Sequence, residues 1–177
     1  MSIKHFNQGY IQIYTGNGKG KTTAALGLAL RAAGHGLRTY FAQFMKGQAY
    51  GELTSVRSIP EITIEQFGKD TFIHINRASQ EDIQMVQHGL HKAKQAMVSG
   101  KYQIIVLDEI NVAIHFKLLT VTEVLDFISL KPSVIELILT GRHAPKELIE
   151  KADLVTKMLE VKHYYQKNIV ARDGIER

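Results

Sequence analysis

The chain has 177 residues, 45% of them hydrophobic, which suits one domain with a substantial core and excludes disorder as its default state. Its formal charge of +5 favours anionic partners, but the basic residues are spread along the chain, so most of them read as solvated surface plus phosphate ligands. The absence of cysteine excludes disulfides, thiolate-held zinc, iron–sulfur clusters and a cysteine nucleophile.

The start, Met1 to Gln8, lacks an apolar signal core, and no later apolar run approaches the ~20 residues that span a bilayer. A cytoplasmic protein without membrane contact is therefore expected. Tyr10–Tyr14 is rich in β-branched and aromatic residues and reads as a strand. Thr15-Gly16-Asn17-Gly18-Lys19-Gly20-Lys21-Thr22-Thr23 follows, and an Ala/Leu-rich helix runs from Lys21 to about Ala33. Strand, glycine-rich loop and helix in this order bring backbone N–H groups together at a helix N-terminus, where an anion is favoured. Lys21 is placed to reach the β- and γ-phosphates, and the Thr22 hydroxyl suits Mg²⁺. The loop departs from the G-x-x-x-x-G-K-[ST] pattern of a Walker A motif, because Thr15 stands where the leading glycine belongs. A ligand-free turn is the plain alternative.

Thr39–Phe44 and Ile62–Phe67 read as further strands, followed by Gly47–Arg57 and Gly68–Ser79 as long irregular stretches of the kind that carry substrate contacts. Ile83, Val86, Leu90, Ala93 and Met97 recur at helical spacing and predict a helix over Gln80–Val98. His88 and His91 share that helix, but without a His-Glu-x-x-His pattern they read as a solvated face before a metal site. Ile104–Leu107 is an apolar strand ending in Asp108 and Glu109, the form of a Walker B element, where an acid can hold Mg²⁺ directly or through water. Glu109 is the expected ligand, with Asp108 supporting it, since adjacent strand residues point to opposite faces. Acids that merely cap a buried strand are the alternative.

Short helices are expected at Thr122–Ile128, after Thr120 and Thr122 as caps, and at Pro145–Lys151, with strands at Ile135–Leu139 and, more weakly, Leu154–Leu159. Thr140-Gly141-Arg142-His143-Ala144-Pro145 joins a strand to a helix, so it belongs on the same sheet edge as the P-loop. There Arg142 either meets phosphate or ribose or forms a structural ion pair. Alternating strands and helices predict an α/β fold over residues 1–177: a P-loop NTPase-like, RecA-like three-layer αβα sandwich with a mostly parallel sheet of about six strands.

Taken together, TGNGKGKTTAALGLALRAAGHG, FMKG with GE soon after, IIVLDE, LTGRHAP, and VKH before a terminal GIE resemble the P-loop ATP:corrinoid adenosyltransferases over nearly the whole chain. The resemblance implies transfer of the 5′-deoxyadenosyl group of ATP to the Co(I) centre of a reduced corrinoid, with release of triphosphate. It also implies that ATP lies across the P-loop with its phosphates reversed from the usual direction. Co(I) is itself a strong nucleophile, so no residue is needed to orient water. On matching positions, Gly16, Asn17, Gly18, Lys19, Gly20, Lys21, Thr22 and Thr23 hold triphosphate, Thr22 and Glu109 hold Mg²⁺ (or Mn²⁺), and Lys46 lies near the active site. Lys21 and Glu109 are thereby the expected catalytic pair.

Relatives use bulky aromatics after the third strand to displace the lower cobalt ligand. The matching loop here offers Phe72, which either faces the corrin or anchors the core. A homodimer, and a flavodoxin-type or other reductase as electron source, are further implications. An N-terminal lid found in some members is expected to be short or absent, since nine residues precede Tyr10. Two other functions remain open from the residues alone: a P-loop ATPase or switch acting on nucleic acid, which the +5 charge permits, and a nucleotide- or corrinoid-binding regulator without turnover.

Overall fold

The structure is a computed structural model and describes residues 6–70 and 78–176. Its core is a six-stranded sheet of β1 (Ile11–Thr15), β2 (Thr39–Phe44), β3 (Ile62–Phe67), β4 (Ile104–Asp108), β5 (Glu136–Thr140) and β6 (Leu154–Lys157), in the order β3-β2-β4-β5-β1-β6. All neighbouring pairs are parallel. Parallel neighbours need crossovers, and the helices supply them: α1 (Lys21–Ala33), α2 (Gly51–Ser55), α3 (Gln80–Val98), α4 (Ile110–His115), α5 (Val121–Ser129) and α6 (Lys146–Lys151).

The alternation of side chains along the central strands divides the core. Tyr40, Ala42 and Phe44 of β2, Ile105 and Leu107 of β4, and Leu137 and Leu139 of β5 face one side. There they pack with Val86, Ala93 and Met97 of α3, Ile110 and Ala113 of α4, Val124 and Phe127 of α5, and Leu148 of α6. Phe41, Ile104, Val106 and Ile138 point the other way and meet Ala25 and Ala32 of α1. Because both faces of these strands are apolar, neither can face water, and the three-layer αβα sandwich follows.

Sequence periodicity places α1, α3, β2 and β3 within the bounds observed. The helix expected at Thr122 begins at Val121, because Thr120 is the cap: its hydroxyl accepts from the Glu123 amide while the Glu123 carboxylate accepts from the Thr120 amide. Pro145 caps α6 in place of occupying its first turn. Two helices arise that were not expected, α2 with the 3₁₀ turn Val56–Ser58 inside a stretch read as irregular, and α4 after the acids of β4.

Candidate nucleotide site

At the C-terminal end of β1 the chain turns through Gly16 at φ 96° and enters α1 from Gly20 at φ 112°, backbone angles that disfavour any side chain. The chain leaving β6 braces this loop, since the Gly18 amide donates to the Met158 carbonyl at 2.8 Å and a Cβ on Gly16 would run into the Met158 main chain. Lys21 is 6% exposed, and its ammonium lies within the loop, donating to the carbonyls of Gly16 at 2.9 Å and Gly18 at 2.7 Å. Burial pushes its pKa down, against the pull of the Glu109 carboxylate.

β2 and β4 bring three charged groups to the same edge. Asp108 is fully buried, with Oδ1 accepting from the Thr22 hydroxyl at 2.9 Å and the Thr140 hydroxyl at 2.6 Å, and Oδ2 paired with Lys46 Nζ at 2.8 Å. Lys46 Nζ also lies 3.3 Å from Thr22 Oγ1 and 5.4 Å from the centroid of the Tyr50 ring. Burial lowers the Lys46 pKa, but the neighbouring Asp108 carboxylate more than reverses this and leaves it above its ordinary value. A single network thus ties the P-loop hydroxyl to β2, β4 and β5. Next to it, Glu109 sits at φ 64°, its amide donating to Thr140 Oγ1 at 3.0 Å. Burial, and then the adjacent Asp108, raises its pKa; Lys46, Lys21 and Arg142 act in the opposite sense.

Met45, Glu109 and His143 are all non-glycine residues in left-handed backbone, and all follow the ends of central strands. Such strain costs about 1 kcal/mol or more per residue and tends to collect where side chains must be aimed into a site.

Gly18, Lys19, Gly20, Lys21, Thr22, Thr23, Lys46, Glu109 and Arg142 line one cavity of about 550 Å³, so most of the expected site residues come together. Gly16 and Asn17 fall on the far side of the loop, against a neighbouring cavity of about 650 Å³. Phe72 lies outside the described residues. His88 and His91 take other roles: the first packs its ring edge-on against Phe67, and the second meets the Gln95 side chain at 3.0 Å. No helix among the described residues is long and apolar enough to cross a membrane.

Two walls of the cavity were not expected. One is α2, with Tyr50, Glu52 and Ser55; Glu52 Oε1 accepts from the buried Gln43 amide at 3.2 Å. The other is the C-terminal segment Gly174–Glu176, whose Glu176 pairs with Lys19 at 2.8 Å. The sequence carried a trace of both, in the Gly-Glu after FMKG and in the terminal Gly-Ile-Glu, but nothing in either tells where it docks.

Residues 7–177 match the family described as ATP:corrinoid adenosyltransferase BtuR/CobO/CobP. The chain belongs to this family. Corrinoid adenosyltransferases from Pseudomonas aeruginosa and a Sinorhizobium species are 35% and 34% identical to it, over 96% and 99% of this chain and 84% of each relative. The Salmonella typhimurium corrinoid adenosyltransferase CobA is 31% identical over 96% of this chain and 86% of its own. As a member, the chain is a transferase that adenosylates corrinoids. Among solved structures, a KaiC-like protein of Pyrococcus horikoshii superposes with a TM-score of 0.55 at 17% identity, covering 86% of this chain and 73% of its own. That likeness speaks for the P-loop NTPase-like fold alone.

Proposed function

We propose that the cavity holds ATP with its triphosphate on Gly18–Thr23, Gly16 and Asn17 shaping the loop from its far side, and that Co(I) of a reduced corrinoid attacks C5′ of the ribose. The cobalt electron pair forms the Co–C5′ bond as the C5′–O bond breaks, and its electrons leave with inorganic triphosphate. The observation that carries this reading is the buried network of Lys46, Asp108 and Thr22, with Lys21 and Glu109 at its margin. It is an arrangement suited to fixing a polyphosphate, whose developing charge is the main thing left for the protein to stabilise.

The donor set at the edge of this network fits a hard cation. Thr22 and Glu109 supply hydroxyl and carboxylate oxygens, the ligand type Mg²⁺ or Mn²⁺ takes, and such an ion would neutralise charge on the triphosphate. Asp108, already committed to Thr22, Thr140 and Lys46, would orient Thr22 toward it. Lys21 would exchange its carbonyl contacts for phosphate oxygens, and Arg142, which lines the same cavity, would meet phosphate or ribose. We further propose that the 1–177 domain works in the cytoplasm as a homodimer, with reduced corrinoid supplied through a flavodoxin-type or other reductase.

Leaving-group identity gives a test. If triphosphate departs intact, the bond between the β- and γ-phosphates is a spectator, so β,γ-methylene-ATP should still donate its adenosyl group to chemically reduced cobalamin under anaerobic conditions. Complete loss of alkylcobalamin formation with the analogue, while ATP itself is converted to ADP, would contradict the reading.

A further inference from the structure

Gly174-Ile175-Glu176 is the motif that the catalytic reading leaves without a task. It lies against the P-loop across 156 residues of sequence, with Lys19 Nζ donating to the Ile175 carbonyl at 3.0 Å and to Glu176 Oε1 at 2.8 Å. Arg172 grips the same carboxylate from the other side: its amide donates at 2.9 Å, Nε at 3.3 Å and Nη2 at 3.2 Å. The guanidinium in turn stacks over Tyr164, 4.8 Å from the ring centroid. These partners, the Arg172 and Lys19 side chains first, hold the Glu176 carboxyl at about 2, so it is ionised at any physiological pH.

The position of this carboxylate is unusual for its charge. It lines the same cavity as Gly18–Thr23. A carboxylate facing a polyphosphate cradle repels the ligand unless the two take turns. We propose that Glu176 is a surrogate anion for the P-loop: it occupies Lys19 when the cradle is free, yields it to the phosphate chain on binding, and retakes it as triphosphate leaves. This rests on the reading of the cavity as the triphosphate site.

A chemical need and a structural means both support the exchange. Triphosphate keeps every phosphate contact that ATP had, so transfer of the adenosyl group does nothing to loosen it from the loop, and a competing anion at one lysine speeds its release. The means is the tail itself. Every residue from Tyr164 to Ile175 is exposed, so the segment buries little apolar surface and can move at small cost. Lys19 is also the loop lysine with side-chain freedom, 41% exposed, whereas Lys21 is held inside the loop.

Calorimetric binding of inorganic triphosphate to the full chain tests this, with wild type, Glu176→Gln, Lys19→Ala and the double variant. The glutamine keeps the shape and an acceptor for Arg172 but removes the charge. Glu176→Gln is expected to bind triphosphate about two- to five-fold more tightly, the range of a partly exposed ion pair. Inhibition of adenosyl transfer by added triphosphate should strengthen in parallel, which a merely structural tail would not cause. On a logarithmic scale, more than half of the gain should vanish when Lys19 is absent. Unchanged or weaker binding by Glu176→Gln overturns the exchange, as does a gain that keeps more than half its size in the Lys19→Ala background. If wild type binds neither triphosphate nor ATP, the site reading itself fails; if it binds both and turns over while Glu176→Gln behaves like wild type, only the exchange fails.

Discussion

Glu109 is the residue at which function and stability pull apart. Its folded pKa is raised above the ordinary value of 4.5, so the folded state prefers it protonated, and ionisation costs stability as pH rises from 4.5 through the raised value. Above that window the cost is constant; below it the cost is absent. Glu109→Gln removes the charge and with it the cost. Thermal unfolding should therefore show the variant more stable than wild type at neutral pH, with the difference shrinking toward pH 4.5. Its turnover should fall by about 10²-fold or more, as when one electrostatic stabiliser of a transition state is lost. Higher stability with normal turnover would mean that the carboxylate has no part in the chemistry. Lys46 gives the opposite pattern. It is the only ammonium within ion-pair distance of Asp108 among the described residues, and Asp108 is wholly buried. Lys46→Met leaves that carboxylate uncompensated, so a loss of about 3 kcal/mol is expected in denaturant unfolding, together with loss of activity. An unfolding midpoint like that of wild type would show that Asp108 is satisfied without it. None of this pairing is visible in the sequence, where Lys46 and Asp108 are 62 residues apart and only the strand order β2-β4 makes them neighbours.

Among the helices, those with a repeating apolar period or a clear start signal were legible, α6 through Pro145 among them, and those with neither were not. α1 and α3 have 13 and 19 residues, enough turns for the apolar spacing to repeat, and β2 is an apolar run buried on both faces. α2 and α4 have only five and six residues, too short for any period to be read, and their helical state comes from where they dock. That matters for the site because α2 forms one wall and Glu109 is the N-cap of α4. α3 also carries a packing constraint that its sequence does not explain: Gly89 lets the helix approach β2 and β3. A Cβ there would stand 2.6 Å from Phe67 Cγ and 2.9 Å from Phe44 Cε1. Gly89→Ala should therefore cost about 1–3 kcal/mol despite the gain in helix propensity, because two buried rings must shift. A chemical denaturation series reads this directly, and a stabilised variant would mean that the rings rearrange freely.

For the molecule as a whole, apolar strands on both faces dictate a three-layer sandwich, and the crossover from β1 past β5 and β4 to β2 dictates where the functional loops meet. The fold and the phosphate loop were legible because they depend on local patterns. What closes the loop was not, because the Glu176–Lys19 contact joins opposite ends of the chain. Family membership supplies the reaction, the adenosylation of corrinoids, and in the function proposed above the P-loop would serve it by holding triphosphate as a leaving group while the adenosyl carbon is attacked. The +5 charge is consistent with such an anionic ligand and does not demand nucleic acid. Product analysis of one anaerobic reaction, containing the protein, Mg-ATP and chemically reduced cobalamin, decides whether triphosphate is the leaving group. Stoichiometric inorganic triphosphate and a light-sensitive alkylcobalamin spectrum are expected, both reduced at least about 10²-fold by Lys21→Ala, which removes positive charge from the phosphate cradle. ADP and orthophosphate without alkylcobalamin, or a Lys21→Ala variant as fast as wild type, would contradict this reading.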